Sequence, residues 1–219
     1  YVVINAYLRD TDLEALSDYV KSLAESDITA IIASDLGVIK TVQKSCRLPI
    51  FLSTQASCLN SQAALLWKSL GISRIILGRE VSIKDAEKIK SSANIAVEMF
   101  VHGAMCMAYS GHCTLSNFVA GRDANRGGCI HLCRHNFRFI NNDLKNKNPL
   151  PLLSSKDLCG IALMEKFCKA GVDALKIEGR MRSPLYVATV CRTYRQALDA
   201  AKTGKLDDDL LNRLKDELS

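Results

Sequence analysis

Short runs of Val, Ile and Leu recur along this chain with amphipathic stretches of about a dozen residues between them, and no other feature narrows the fold so far. The runs are Y-V-V-I-N-A-Y-L at the start, I-T-A-I-I-A-S (Ile28 to Ser34), I-F-L-S-T-Q (Ile50 to Gln55), R-I-I-L-G-R (Arg74 to Arg79) and I-A-V-E-M-F-V-H (Ile95 to His102). Between them the spacing predicts helices over Thr11–Ser26, Leu36–Ser45, Cys58–Leu70 and Ser82–Ser92. In the first of these Leu13, Leu16, Val20 and Leu23 share one face, and acids in the first turn complement the positive end of the helix dipole. Strands that are apolar throughout, instead of alternating, are buried on both faces, which calls for parallel pairing beneath helices. The expected class is α/β.

Further along, Phe137 to Ile140 reads as a short strand and Asn141 to Pro149 as a polar turn. A helix is expected from P-L-L-S-S-K-D-L to about Ala170, capped by Ser154 or Ser155 and ended by Gly171. Then come a strand from Asp173 to Arg180, a helix with Pro184 in its first turn, and a last amphipathic helix in the polar tail. Six or seven strands, beginning at residue 1 without an initiator Met, suit an incomplete TIM-type (β/α) barrel that lacks its first one or two βα units. On this reading residues 1–219 form a single domain, with a cysteine-rich insertion over 103–140, after a late strand.

Polar residues gather at the carboxyl ends of the expected strands: Asn5, Asp35, Gln55, Arg79, Glu80, His102, Glu178 and Arg180. In parallel α/β folds ligands bind at that face.

Four of the nine cysteines, Cys106, Cys113, Cys129 and Cys133, follow one another as C-x6-C-x15-C-x3-C. A soft metal or an iron-sulfur cluster needs several thiolates converging on one point, and Gly103, Gly111, Gly127 and Gly128 allow the tight turns that would deliver them. Tetrathiolate zinc is the rival, although zinc sites favour shorter knuckles; spacing alone leaves both open. Cys46, Cys58, Cys168 and Cys191, within helical patterns, read as small buried hydrophobes.

With no apolar run of the roughly 18 residues that span a bilayer and no charged-then-apolar leader, the expected location is cytoplasmic. In that reducing compartment clustered cysteines point to metal binding or catalysis instead of disulfides. The net charge of +6 favours polyanionic partners such as RNA over a lipid-soluble quinone, and fits a solvated basic surface equally well.

The segment E-M-F-V-H-G-A-M-C-M-A-Y-S-G-H-C-T-L-S from Glu98 to Ser116 resembles the signature of peptidase family U32, the collagenase-like proteases. F-L-S-T-Q-A-S from Phe51, R-D-A-N-R-G-G-C-I-H-L-C-R from Arg122 and L-K-I-E-G-R-M-R-S-P-L-Y-V from Leu175 agree with it. The resemblance implies an interrupted TIM-type barrel and a 4Fe-4S cluster on Cys106, Cys113, Cys129 and Cys133, with Cys159 the one serious substitute. It implies oxygen-independent hydroxylation, of tRNA uridine, rRNA cytidine or the ubiquinone ring. For the RNA substrates it also implies prephenate as co-substrate, and some relatives work with a homologous partner subunit. The family's opening A-P-A-G-like strand and the carboxyl-terminal domain of many members have no counterpart in these residues. The family label itself implies a peptidase, yet the sequence has no G-x-S-x-G, no H-E-x-x-H and no Cys/His pair that stands out as nucleophile and base.

Candidate roles follow. Glu98, in a hydrophobic strand, is either paired or poised as an acid/base. His102, at a strand end, is a better proton carrier than His112, though a histidine bonded to backbone beside a cluster fits as well. Glu178 and Arg180 pair with each other or with Lys176, or join the catalytic set. Arg79 and Arg180 are shaped to grip a carboxylate of an anionic co-substrate bidentately.

Overall fold

The computed structural model of the chain describes residues 1–138 and 149–218. In chain order the elements are β1 (Val2–Ile4), α1 (Asp10–Glu14), α2 (Leu16–Ala24), β2 (Ile31–Ala33), α3 (Leu36–Ser45), β3 (Ile50–Leu52), α4 (Ser61–Ser69), β4 (Ile72–Ile76), α5 (Ile83–Ala93) and β5 (Ala96–Gly103). There follow α6 (Leu115–Ala120), β6 (Leu158–Cys159), α7 (Met164–Lys169), β7 (Ala174–Ile177), α8 (Pro184–Lys202) and α9 (Asp208–Asp216). The alternation of strand and helix ahead of the cysteines is the one expected, and the class is α/β. Among the described residues no helix is long and apolar enough to cross a membrane.

Two compact units form, each from two stretches of chain. The first joins Tyr1–Ser57 to Cys106–Lys156. In it β1 pairs with β2 and β2 with β3, all parallel, with Ile31 facing both Val2 and Ile50 in register. Every residue of β2 and β3 is buried, because Leu16 and Val20 of α2 and Val38, Ile39 and Val42 of α3 are buried with them in the core. Asp35 starts α3 by accepting from Gly37 N at 2.7 Å and Val38 N at 3.1 Å, so its place at a strand end serves a helix cap.

The second unit joins Cys58–Met105 to Asp157–Ser219. Here β5, eight residues long, is flanked by parallel β4 and β7 and meets the short β6 antiparallel at its carboxyl end. Its core holds Ile75, Ile76, Val97 and Val101 of the sheet and Leu77 just beyond β4, with Ile89, Met164, Phe167, Val190 and Leu214 of the helices. Ser82, Ser183 and Asp207 cap α5, α8 and α9 through their side chains, and Pro184 takes the first helical position of α8.

Several local expectations are corrected. The helix over Thr11–Ser26 breaks at Ala15 into α1 and α2. The helix expected from Cys58 begins at Ser61, since Asn60 accepts from Ala63 N at 2.9 Å and so fixes the start. Cys58 lies ahead of it, buried, its thiol pushed up to about 11 by that burial. Cys191 is exposed on α8, and Cys46 and Cys168 are only half-buried.

The long helix expected up to Ala170 holds only from Met164; before it come β6 and a 3-10 turn at Ile161–Leu163, and neither Ser154 nor Ser155 caps a helix. The reason is tertiary: Gly160 N donates to Val101 O at 2.8 Å, so pairing with β5 outweighs the local helical period. Of the strand expected at Phe137–Ile140, Phe137 makes an isolated antiparallel bridge with Leu150, and Phe139 and Ile140 lie outside the described residues together with 141–148 of the expected turn.

Candidate functional site

The first unit carries the cysteine quartet. Gly111 sits between Cys106 and Cys113 at φ +86°, and a Cβ there would lie 2.2 Å from Gln55 O, so only glycine lets the loop close against the end of β3. Beside it Ser110, fully buried, accepts at its hydroxyl from Thr54 Oγ1 at 3.3 Å and at its carbonyl from Ser57 Oγ. Ser57 itself holds a left-handed backbone, φ 48°. Gln55 accepts from Tyr7 OH at its carbonyl, while its Oε1 is buried without a hydrogen-bond partner among the described residues. Asn5 donates to Ser53 Oγ at 3.3 Å.

The second pair of cysteines is tied to the first. Ser116, buried on α6, accepts from Ile130 N at 3.2 Å, which links the helix after Cys113 to the residue after Cys129. Arg134, next to Cys133, donates to Ser154 Oγ at 3.1 Å and Ser155 O at 2.6 Å. Arg126 donates to Tyr7 O at 2.5 Å and to Asp12 at 3.1 Å. The turns expected at Gly103, Gly111 and Gly127 have positive φ; Gly128 does not.

Burial pushes the Cys133 thiol up, and the charges of Cys106, Cys129 and Cys113 push it the same way while Arg134 opposes them. The other three cysteines are thus near enough to act on Cys133, and thiolates that repel are relieved by a cation between them. As the side chains stand, no group of three or more His, Cys, Asp or Glu among the described residues is drawn together closely enough to hold a metal ion. The donor set, four thiols in one segment, fits a thiophilic centre in chemistry. Cys159 belongs to the second unit, and His112 is exposed in the first.

The second unit presents a different constellation, on the face of β4, β5 and β7. Glu98, its side chain 7% exposed, is 3.5 Å from Arg74 and 3.8 Å from Lys176. Of the alternatives open for Glu98, the structure shows the paired one. One step along β5, Phe100 has the Arg79 guanidinium 4.2 Å above its ring and the Lys176 ammonium 5.5 Å away. Burial lowers the Lys176 pKa most; Glu98 raises it and Arg79 lowers it further. Glu178 accepts from the backbone N–H of Arg180 at 3.0 Å, and the Arg180 side chain is exposed.

His102 is turned elsewhere. The pairing of β5 with β7 slips between Phe100 and His102, and this irregularity aims His102 at α8, where it is 8% exposed against Tyr194 and Tyr186. Tyr194 OH donates to Val101 O at 2.9 Å, so the 3.2 Å contact between its oxygen and His102 Nδ1 needs a proton on Nδ1. Nε2 then carries the lone pair. Burial lowers the His102 pKa, with Asp157 raising it and Arg182 lowering it. Gly103 completes the turn at φ +99°; a Cβ there would strike Glu178 O at 2.2 Å.

Sequence reasoning missed Ser110, Ser116, Ser57, Thr54 and Arg126, which hold the cysteine segment in place. No residue type or spacing singles them out, because each acts through a partner distant in sequence.

Against known proteins, the model of peptidase family U32 matches residues 1–219. Among curated relatives, tRNA hydroxylation protein P1 of Bacillus subtilis (strain 168) is 39% identical over 91% of this chain and 49% of its own length. The tRNA hydroxylation protein P of Escherichia coli (strain K12) is 33% identical over 98% of this chain and 58% of its own. A collagenase of Porphyromonas gingivalis (strain ATCC BAA-308 / W83) is 32% identical over 100% of this chain and 56% of its own. The chain thus spans about half the length of the curated relatives it matches. The solved structure of a U32 peptidase superposes with a TM-score of 0.51 at 9% identity, covering 83% of this chain and 70% of that one, a likeness of fold. With the family model matched end to end, the chain belongs to peptidase family U32.

Proposed function

We propose that this protein takes part in the oxygen-independent hydroxylation of a tRNA base in the cytoplasm, using a 4Fe-4S cluster on Cys106, Cys113, Cys129 and Cys133 and an anionic co-substrate such as prephenate. The observation that carries this reading is that all four cysteines lie in one segment of the first unit, held there by Ser110, Ser116 and Arg134. Relatives named for tRNA hydroxylation support the substrate class. The cluster, when bound, would relay electrons, with the co-substrate as the oxygen donor: one oxygen atom would pass to the C–H carbon, which loses two electrons, and the donor would gain them.

The chain's own residues have narrower tasks. Ser110, Ser116 and Arg134 hold the loop in the conformation from which the thiols can be drawn together. His102 offers a lone pair on Nε2, its Nδ1 proton being fixed by Tyr194. Arg79 and Arg180 grip the anionic co-substrate, and Glu178, beside Arg180, completes the candidate catalytic set, while Glu98 is held in its pairs with Arg74 and Lys176. The test is mass spectrometry of tRNA nucleosides from cells that lack the protein. Loss of a hydroxylated base is expected; an unchanged nucleoside profile refutes the reading.

A second reading, peptidase activity, is favoured by the collagenase relative. Hydrolysis of denatured collagen by the iron-free protein would establish it, and the first reading expects none.

A further inference from the structure

We propose that Phe118, at the exposed end of α6, is a stacking platform for an unpaired RNA base, with Arg122 as the phosphate contact beside it.

Among the described residues Phe118 is the most exposed of the large apolar side chains, at 87%, and Val119 next to it is 56% exposed. A single apolar side chain on a surface needs no explanation. Phe118 differs in how firmly it is held out. The last turn of α6 is closed by two bonds, Gly121 N to Asn117 O at 2.8 Å and Arg122 N to Ser116 O at 3.3 Å, with Gly121 left-handed at φ 61°. Ser116, at the root of that turn, is buried and accepts from Ile130 N, and Asn117 Nδ2 donates to Asp123 at 2.5 Å. A Cβ at Gly121 would meet nothing within 4 Å, so the turn faces open space. The same turn therefore presents Phe118 and fixes the backbone of Arg122.

The surrounding charge selects the partner. Residues 106–138 carry four arginines, Arg122, Arg126, Arg134 and Arg138, against one acid, Asp123, whose carboxylate accepts from Asn117. Arg126 and Arg134 are engaged within the unit by Asp12 and by Ser154 and Ser155, and Arg122 is exposed. A second exposed ring, Tyr109, lies in the same segment. An open aromatic ring close to an arginine in sequence and fold suits an unpaired nucleotide, whose base stacks while its phosphate meets the cation. A stable protein partner would need about 800 Å² on each side with little charge at the centre, and two neighbouring apolar side chains fall well short of that. Duplex RNA offers no free base face to stack.

The RNA partner belongs to the hydroxylation reading, on which this proposal rests; the structure adds the residue that receives a base and the single-stranded form it requires. Anisotropy titration of the full chain would use a short unstructured RNA containing 2-aminopurine, with blunt duplex RNA as comparison. The single strand is expected to bind and its 2-aminopurine emission to change. Phe118→Ala should weaken binding about 5- to 100-fold, as loss of one base stack implies, and remove the emission change. Phe118→Trp should keep both, whereas Phe118→Leu, apolar without a ring, should keep neither. Arg122→Gln should lower the slope of log affinity against log salt by about 0.7, the share of one phosphate contact on a single strand, and Phe118→Ala should leave that slope unchanged. Leu66→Ala, which removes another exposed apolar side chain, on α4, should bind as the wild type does.

Because Phe118 is almost fully exposed, Phe118→Ala should keep the wild-type urea midpoint; should it not, the contrast between Phe118→Trp and Phe118→Leu decides. No RNA binding by the wild type, wild-type affinity in Phe118→Ala, full affinity in Phe118→Leu, or duplex bound as tightly as the single strand overturns the proposal. Self-association of the chain that Phe118→Ala abolishes, at unchanged RNA affinity, overturns it in favour of a second copy. An unchanged tRNA nucleoside profile on deletion would sink the hydroxylation reading and leave the binding result standing.

Discussion

His102 Nδ1 lies 3.2 Å from the hydroxyl of Tyr194, which in turn donates to Val101 O at 2.9 Å, so one tyrosine fixes both the tautomer of the histidine and the end of β5. Replacing Tyr194 with Phe strands the buried His102 N–H, while Val101 O keeps its bond from Gly160 N. A loss of about 1–3 kcal/mol in urea unfolding is expected. A loss below a few tenths would mean that the contact carries no weight.

Burial holds the His102 pKa below its ordinary 6.5. The unfolded chain therefore takes up a proton that the folded chain refuses, and stability falls as pH drops below about 6.5, the contribution being fully lost once pH passes the folded value. Urea stability measured from pH 7.5 to 5 should decline more steeply in the wild type than in His102→Asn, which keeps a donor toward Tyr194. Parallel slopes would show that His102 titrates freely.

If the quartet holds iron, Cys106→Ser and Cys129→Ser should each lose most bound iron after anaerobic purification, with loss of the thiolate-to-iron absorption. Cys191→Ser, exposed on α8, should keep both. Equal iron in all three variants refutes the ligand assignment.

Gly111→Ala places a Cβ 2.2 Å from Gln55 O at φ +86°. Strain of about 1–3 kcal/mol is expected, concentrated in the cysteine segment. Limited proteolysis should cut that segment faster in the variant. A wild-type cleavage rate would mean that the loop is not seated on β3.

Thiol labelling at pH 8 should sort the cysteines by exposure. Cys159 and Cys191 should react quickly, whereas Cys58, buried and with its thiol pushed up to about 11, should react only after unfolding. Fast labelling of Cys58 in the native chain would contradict the packing ahead of α4.

The α/β class, the order of strands and helices up to β5 and the place of Pro184 in the first turn of α8 were legible in the amino-acid sequence alone. Apolar runs and a proline's fixed backbone act within a few positions, and their physics is local. The cysteine segment was legible as a candidate site for the same reason, since thiol chemistry and tight turns show in residue type.

Only the tertiary structure decided the rest. Val101 drew Gly160 out of an expected helix, a slip in the pairing of β5 with β7 aimed His102 at Tyr194, and Lys176 was found with Glu98 and Phe100 instead of beside Glu178. Each depends on partners distant in sequence, and hydrogen bonds and charge pairing between such groups leave no periodic trace along the chain.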